Sequence, residues 1–350
     1  MHNPLTHLHA QTRLALAGVT VAILLAPTTA WAHEKWFTDP AANPVRLDLL
    51  ISGPVALALG VAALALGALL LLRRWVHDPL WPNPAWLRPA AQASQAVIGI
   101  QTAVSLIYMA VQGWLFSPVQ PLPAGSGGLA LGALVIAISL SFVTGWFTRL
   151  GGALLIALVA LAFVLYPTAY ALEQLLFAGI GLYFLLLGRG LFLPTGAFMQ
   201  RLDRFWQPYA RFALPAIRIG TGLTILVLAF TEKLLNPALA AAFLHTHPLF
   251  NFPQALGFTL FTDDLFIVAA AVVEATIGVL LIAGVLPRLV ILLMWVPFNI
   301  AIPILPPVEL LGHLPILAVM YAIFLQGPGR TADQPQDAVA PAQQPVLAQA

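Results

Sequence analysis

The sequence predicts an all-α polytopic membrane helix bundle. It has nine spans after a cleaved signal peptide, eight of them arranged as two four-helix repeats. Three observations carry this expectation. Apolar residues make up 60% of the 350-residue chain and charged residues 8%, with a mean hydropathy of +0.92; soluble domains do not have this composition. Nine apolar runs are long enough, or nearly so, to cross the ~30 Å of hydrocarbon in a bilayer as helices. Finally, part of the chain recurs. Residues 96–118 advanced by 119 fall on 215–237, so that Ile98 meets Ile217, Ala110 meets Ala229 and Pro118 meets Pro237. Beyond that stretch the offset is 139, which puts Gly145 on Gly284, Arg149 on Arg288 and Gly188 on Gly327. The change of offset implies an extra segment after Pro237 in the second copy.

The elements follow in order. Arg13, the apolar stretch Leu14 to Leu25 and Ala30-Trp31-Ala32 form the charged region, apolar core and A-x-A site of a signal peptide over residues 1–32. Cleavage would leave His33 as the first residue, beginning His33-Glu34-Lys35-Trp36-Phe37. Residues 33–92 comprise an outer segment and a first span near 48–72. The first, degenerate repeat (93–190) holds spans near 93–116, 128–147, 150–167 and 172–188, the last two short. Residues 191–211 read as an amphipathic cytoplasmic connector lying in the interface, with Arg201, Arg204, Trp206 and Arg211 among apolar residues. The second repeat (212–327) holds spans near 212–235, 265–285, 288–306 and 309–326. Residues 328–350, rich in Ala, Gln and Pro, cannot bury a core and read as a disordered tail.

Charge sets the orientation. One side collects Arg73, Arg74, Arg88, Arg149, Arg189, Arg201, Arg204, Arg211, Arg288 and Arg330, and the other keeps Lys35, Arg46 and Lys233. This positive-inside bias predicts a bacterial inner-membrane protein with its mature N-terminus outside and its C-terminus cytoplasmic. The arginines lie singly between apolar runs, so the pI near 9.2 is no nucleic-acid footprint. There is no cysteine, which excludes thiol redox chemistry, thiolate metal sites and disulfides.

Ionisable residues within spans are expensive and point to function. Where the second copy has Arg218, Glu232, Lys233 and Glu274, the first has Gly99, Gly113, Trp114 and Val135, so chemistry is expected in the second copy. Arg218 lies about 9 Å into its helix at 1.5 Å per residue, while Glu274 and Asn299 lie near the middle of theirs. An Arg218–Glu274 pair is therefore expected, either as a proton relay or ligand-cavity floor, or as a buried ion pair fixing helix register. A second cluster is expected at the outer ends: Glu232, Lys233, His245, His247, Asp263, Asp264, Glu309 and His313. His245-Thr246-His247 would occupy a loop peculiar to the second copy. With His33 and His313 these imidazoles form a candidate copper or zinc site. The alternative is solvated loop histidines.

Four motifs stand out in the second copy: Arg218-Ile-Gly220-Thr-Gly222, Glu232-Lys233-Leu-Leu-Asn-Pro237, Glu274-Ala-Thr-Ile-Gly278 and Gly284-Val-Leu-Pro-Arg288. Through them residues 214–326 resemble the DoxX family of four-helix membrane proteins. The resemblance implies an integral membrane subunit linked to quinone-dependent oxidation, with Arg218, Lys233, Glu274 and Arg288 at the family's polar positions and a redox partner carrying the electrons. Two functions are thus expected as alternatives. One is the membrane subunit of a quinone-linked oxidoreductase system, and the other is a copper- or zinc-handling protein with its site on the outer face.

Overall fold

The computed structural model describes residues 34–75, 87–188, 204–301 and 307–327. The expected signal peptide over 1–32, His33, residues 191–203 of the expected connector and the expected tail at 328–350 lie outside the described residues. So do the side chains of Asn299 and Glu309.

Ten helices of ten residues or more run through the described residues: α1 Gly53–Leu72, α2 Arg88–Val111, α3 Ser126–Thr144, α4 Thr148–Leu165, α5 Leu175–Leu187, α6 Ala213–Leu228, α7 Pro237–Thr246, α8 Asp263–Ala283, α9 Pro287–Ala301 and α10 Pro307–Gln326. The nine apolar runs of the sequence each carry one helix, and α7 begins at Pro237, where the sequence comparison expects an extra segment. Among the described residues, six stretches are long and apolar enough to cross a membrane: α1, α2 from Pro89, α3, α4, α8, and the rod Arg204–Leu234 that contains α6. The protein is thus an all-α bundle with the helices of a membrane protein.

Eight helices close a ring in which α2 packs on α3, α3 on α4, α4 on α5, α5 on α6, α6 on α8, α8 on α9, α9 on α10, and α10 returns to α2. Helix α1 stands outside the ring against α8. It is apolar on every side and turns Leu57, Leu59, Leu64 and Leu71 outward, as a helix bathed in lipid must. Three of the contacts between helices are made by glycine pairs. A Cβ on Gly179 of α5 would come within 3.2 Å of the Gly220 Cα of α6. One on Gly222 of α6 would lie 2.7 Å from the Gly278 carbonyl of α8, and Gly152 meets Gly181 in the same way between α4 and α5. Lipid offers no hydrophobic force to press helices together, so close backbone approach at small residues supplies the dispersion energy instead.

The ends of the helices are defined locally. Thr262 caps α8 by accepting from the Leu265 N–H, and Asp263 and Asp264 lie in the first turn, where the helix dipole favours anions. Left-handed glycines stop α3, α5, α8 and α10: Gly145, Gly188, Gly284 and Gly327, with φ between +64° and +83°. The described part of the connector ends in a 3₁₀ turn, Gln207–Phe212, and presents Phe205, Tyr209 and Phe212 outward. That suits an interfacial position.

Candidate functional site

The last turn of α6 is wider than an α-helix. Residues Ala229–Leu234 form a π-turn, and the Leu235 N–H donates to the Phe230 carbonyl at 2.8 Å. Such insertions recur at functional sites because they redirect side chains. Here Thr231, Glu232 and Lys233, three consecutive residues, are all buried.

Partners for these groups come from far along the chain. The N-terminal segment, whose Glu34–Phe37 forms one helical turn, reaches the same end of the bundle. Its onward path is tied down where the Arg46 N–H donates to the Leu235 carbonyl at 2.7 Å and the Asn236 side-chain amide donates to the Asn43 carbonyl at 2.7 Å. Lys233 lies between two carboxylates, 3.1 Å from Glu34 Oε1 and 3.2 Å from Glu274 Oε2. Lys35 pairs with Glu173, just ahead of α5, and donates to Thr231 Oγ1 at 3.2 Å. Thr231 in turn donates to Glu173 Oε1 at 2.7 Å. Glu34, Lys35, Glu173, Glu232 and Lys233 are each 9% exposed or less, while the Glu274 side chain keeps 34% of its exposure and marks the rim. Burial pushes the Glu34 carboxyl up to about 8, against the lowering effect of Lys233, and Glu232 and Glu274 add to the rise. Beside this centre lies a cavity of about 60 Å³, lined among others by Lys35, Glu173, Glu232 and Ser105.

The expected Arg218–Glu274 pair does not form. Arg218 Nη1 donates to the Leu281 and Ile282 carbonyls at the far end of α8, the latter at 3.0 Å. Leu281 is two helical turns, or about 10 Å, from Glu274. Two other arginines behave alike. Arg149 donates to the Leu187 carbonyl ending α5 at 3.2 Å, and Arg288 donates to the Phe324 and Leu325 carbonyls ending α10, each at 2.9 Å. Each helix end is followed by a left-handed glycine, Gly188, Gly284 or Gly327, whose missing Cβ leaves space beside the guanidinium. Gly99, 119 positions before Arg218, packs against the Phe142 carbonyl of α3, to which a Cβ would come within 2.9 Å.

The outer cluster also divides. Glu232 and Lys233 belong to the buried centre, whereas Asp264 is exposed and Asp263 accepts from the Asn251 amide at 2.8 Å. The histidine segment is largely helical: His245 lies in the last turn of α7 and is exposed, and His247 stacks on Phe243 with Nδ1 2.8 Å from Thr246 Oγ1. His313 lies in α10 and His33 outside the described residues. Among the described residues, no three or more His, Asp or Glu side chains are placed so that they could hold a metal ion together.

Glu173 stands outside the sequence expectations, and it comes from the copy expected to be inert. A signal for it exists, since it is the only acidic residue between Asp78 and Asp203. Glu34 and Lys35 carry a weaker one, as charged residues directly after the expected signal site. Comparison with protein-family models, curated proteins and solved structures returns no match.

Proposed function

We propose that the chain is the integral membrane subunit of a quinone-linked oxidoreductase system, and that its Glu/Lys centre takes up and releases the accompanying protons. One observation carries this reading. Among the described residues, four carboxylates (Glu34, Glu173, Glu232, Glu274) meet two ammonium groups (Lys35, Lys233). Full ionisation would leave two uncompensated negative charges in an apolar bundle, each costing several kcal/mol. The centre therefore stays near neutrality by binding protons, up to two. Quinol oxidation releases two protons with its two electrons, which is the capacity such a centre offers. The cavity is far smaller than the ~300–1,000 Å³ of organic ligand pockets, so a quinone headgroup would meet the protein from the lipid side, where Glu274 reaches the rim. The DoxX-like motifs support the redox setting, and the electrons would pass to a partner protein.

The same reading takes nine crossings after a removed signal peptide, in a bacterial inner membrane, with the N-terminus outside. It is supported by the segregation of charge, with Arg149, Arg218 and Arg288 at the end of the bundle opposite the carboxylates. The duplication is supported by the recurrence of arginine, helix-end carbonyl and left-handed glycine at positions 139 apart, Arg149 with Gly188 and Arg288 with Gly327.

The test is purification of the full chain from its native membrane in mild detergent, followed by quinone extraction and identification of co-purifying proteins. Bound quinone, a redox partner and quinol-dependent reduction of that partner weakened by Glu274→Gln are expected. Recovery of neither quinone nor a redox protein would sink the proposal.

A further inference from the structure

We propose that the interior of the helix ring, along one face of α2, is a hydrated lane by which protons pass between the Glu/Lys centre and the arginine end of the bundle. The inference deepens the proton-handling reading above and rests on it. It starts from a contrast among hydroxyl groups. Ser139, Ser141 and Thr144 of α3, Thr221 of α6 and Thr276 of α8 each donate to a carbonyl three or four residues back in their own helix, as serine and threonine do in an apolar helix. Helix α2 departs from this habit. Ser94, Thr102 and Ser105 are fully buried, and their hydroxyl oxygens, like Oε1 of Gln101, have no hydrogen-bond partner among the described residues. The carbonyl four residues before Ser94, that of Ala90, accepts instead from the Tyr321 hydroxyl of α10 at 3.0 Å.

The four polar groups share a direction. At about 100° per residue they fall within an arc of about 100°. On one side of that arc Gly99 meets the Phe142 carbonyl of α3, and on the other Val104 clusters with Leu311 of α10. Ala93 and Val111, beyond the α10 side, are exposed. The arc therefore faces the middle of the ring, where Ile98 and Met109 share it as apolar spacers. Ser105 and Met109 line the cavity that Lys35 and Glu173 also line, so the lane opens onto the centre. From Ser105 back to Ser94 is about 17 Å of helix, and Arg88 lies about 9 Å further on. Over that last stretch α10 supplies the polar groups: Tyr321, and Gln326, whose side-chain amide donates to the Ala91 carbonyl at 3.2 Å. Buried hydroxyls need a donor and an acceptor and the Gln101 oxygen needs a donor, and water supplies both. One water takes roughly 10–15 Å³ of cavity, so the volume of about 60 Å³ beside Ser105 holds a few. Along such a file each oxygen accepts one proton and releases another, so no group of the lane is consumed.

The chain has no cysteine, so single thiols report the lane directly. Ser94→Cys, Thr102→Cys and Ser105→Cys in the full chain are treated with silver ion, which modifies only thiols that water reaches. Ala103→Cys and Leu106→Cys, equally buried but on the α3 side of the same helix, are the controls. The three lane positions are expected to react many-fold faster than the controls. Proteoliposomes with a trapped pH dye then follow the proton under a potassium–valinomycin potential. Wild type should take up protons faster than protein-free vesicles do, and Thr102→Val, which keeps the shape and deletes the hydroxyl, should slow uptake several-fold. Equal silver rates at lane and control positions overturn the proposal. So does proton uptake that is no faster than in protein-free vesicles, or that Thr102→Val leaves unchanged. Neither arm uses quinone or a partner, so failure here and failure of the redox reading are separable.

Discussion

At one end of the bundle, Arg149, Arg218 and Arg288 lie against the carbonyls that close α5, α8 and α10. At the other, Lys35 and Lys233 lie against the carboxylates of Glu173, Glu34 and Glu274. Both ends hold cations within an apolar protein, but their counter-charges differ in kind. A helix C-terminus carries roughly half a negative charge that is fixed in place and does not titrate, and a guanidinium keeps its proton at any ordinary pH. The arginine end is therefore indifferent to protons. The lysine end balances ionisable against ionisable with carboxylates in surplus among the described residues, so its charge balance depends on pH. Structure without titration at one end and titration at the other is the difference that directs function to the second.

The comparison is broken most severely by Lys233→Met, which keeps most of the packing volume and deletes the cation shared by Glu34 and Glu274. Removing one partner of a buried ion pair typically costs about 3–5 kcal/mol. Folded protein recovered in detergent should fall sharply. Restoring neutrality with Glu34→Gln and Glu274→Gln in the same chain should recover much of it. A Lys233→Met protein as stable as the wild type would mean that the lysine end is solvated and not a closed electrostatic unit.

Second in size is a pH effect at the same end. The folded protein binds the Glu34 proton more tightly than the unfolded chain does, since burial raises this carboxyl from 4.5 to about 8. The stability linked to it is complete below the unfolded value and is lost as pH rises through about 8. Melting temperatures of wild type and Glu34→Gln should lie close together near about pH 5, where glutamine mimics the protonated carboxyl, and separate towards about pH 9 as the wild type falls, because only the wild type carries this loss. Parallel curves would remove Glu34 from the set of groups that hold a proton.

The apolar runs are legible in the sequence because hydrophobicity and length suffice to define a helix in lipid, and each run carries one. The charged residues are legible as important but not as partners. Depth along a helix puts Arg218 and Glu274 within conceivable reach of each other, but depth counts only side chains. The strongest acceptors near Arg218 are backbone carbonyls at a helix end, which any sequence supplies and none advertises. Lys233 finds Glu34 across nearly two hundred residues, and no local pattern encodes that meeting. The π-turn is hidden as well, since Ala229–Leu234 continues the apolar helix that precedes it. Glu173, alone in its stretch of chain, is the residue that acid placement by itself could reveal.

Third is Arg218→Met, which tests the arginine end by itself. The Leu281 carbonyl would keep the Gly284 N–H as a donor at 3.2 Å, and the half-buried Ile282 carbonyl would lose the guanidinium, a loss of about 1 kcal/mol. It should appear as a lower melting temperature with no change in its pH dependence. A pH-dependent loss would show that Arg218 communicates with the carboxylates after all, and the separation of the two ends would fail.

The smallest effect distinguishes two glycines at the arginine end. Gly284 and Gly327 have similar left-handed backbones, φ +68° and +77°, so alanine costs about 1–2 kcal/mol at either from conformation alone. Their surroundings differ. A Cβ on Gly284 would run into the Arg218 guanidinium, whereas on Gly327 the nearest Arg288 atoms stand 3.5 Å away, in ordinary contact. Gly284→Ala should therefore cost the backbone strain plus part of what Arg218→Met costs, and Gly327→Ala the strain alone. In the Arg218→Met background the excess at position 284 should vanish, because the group it collides with is gone. Equal losses for both glycines in the wild-type background would mean that the guanidinium moves aside freely and that its hold on the end of α8 contributes little.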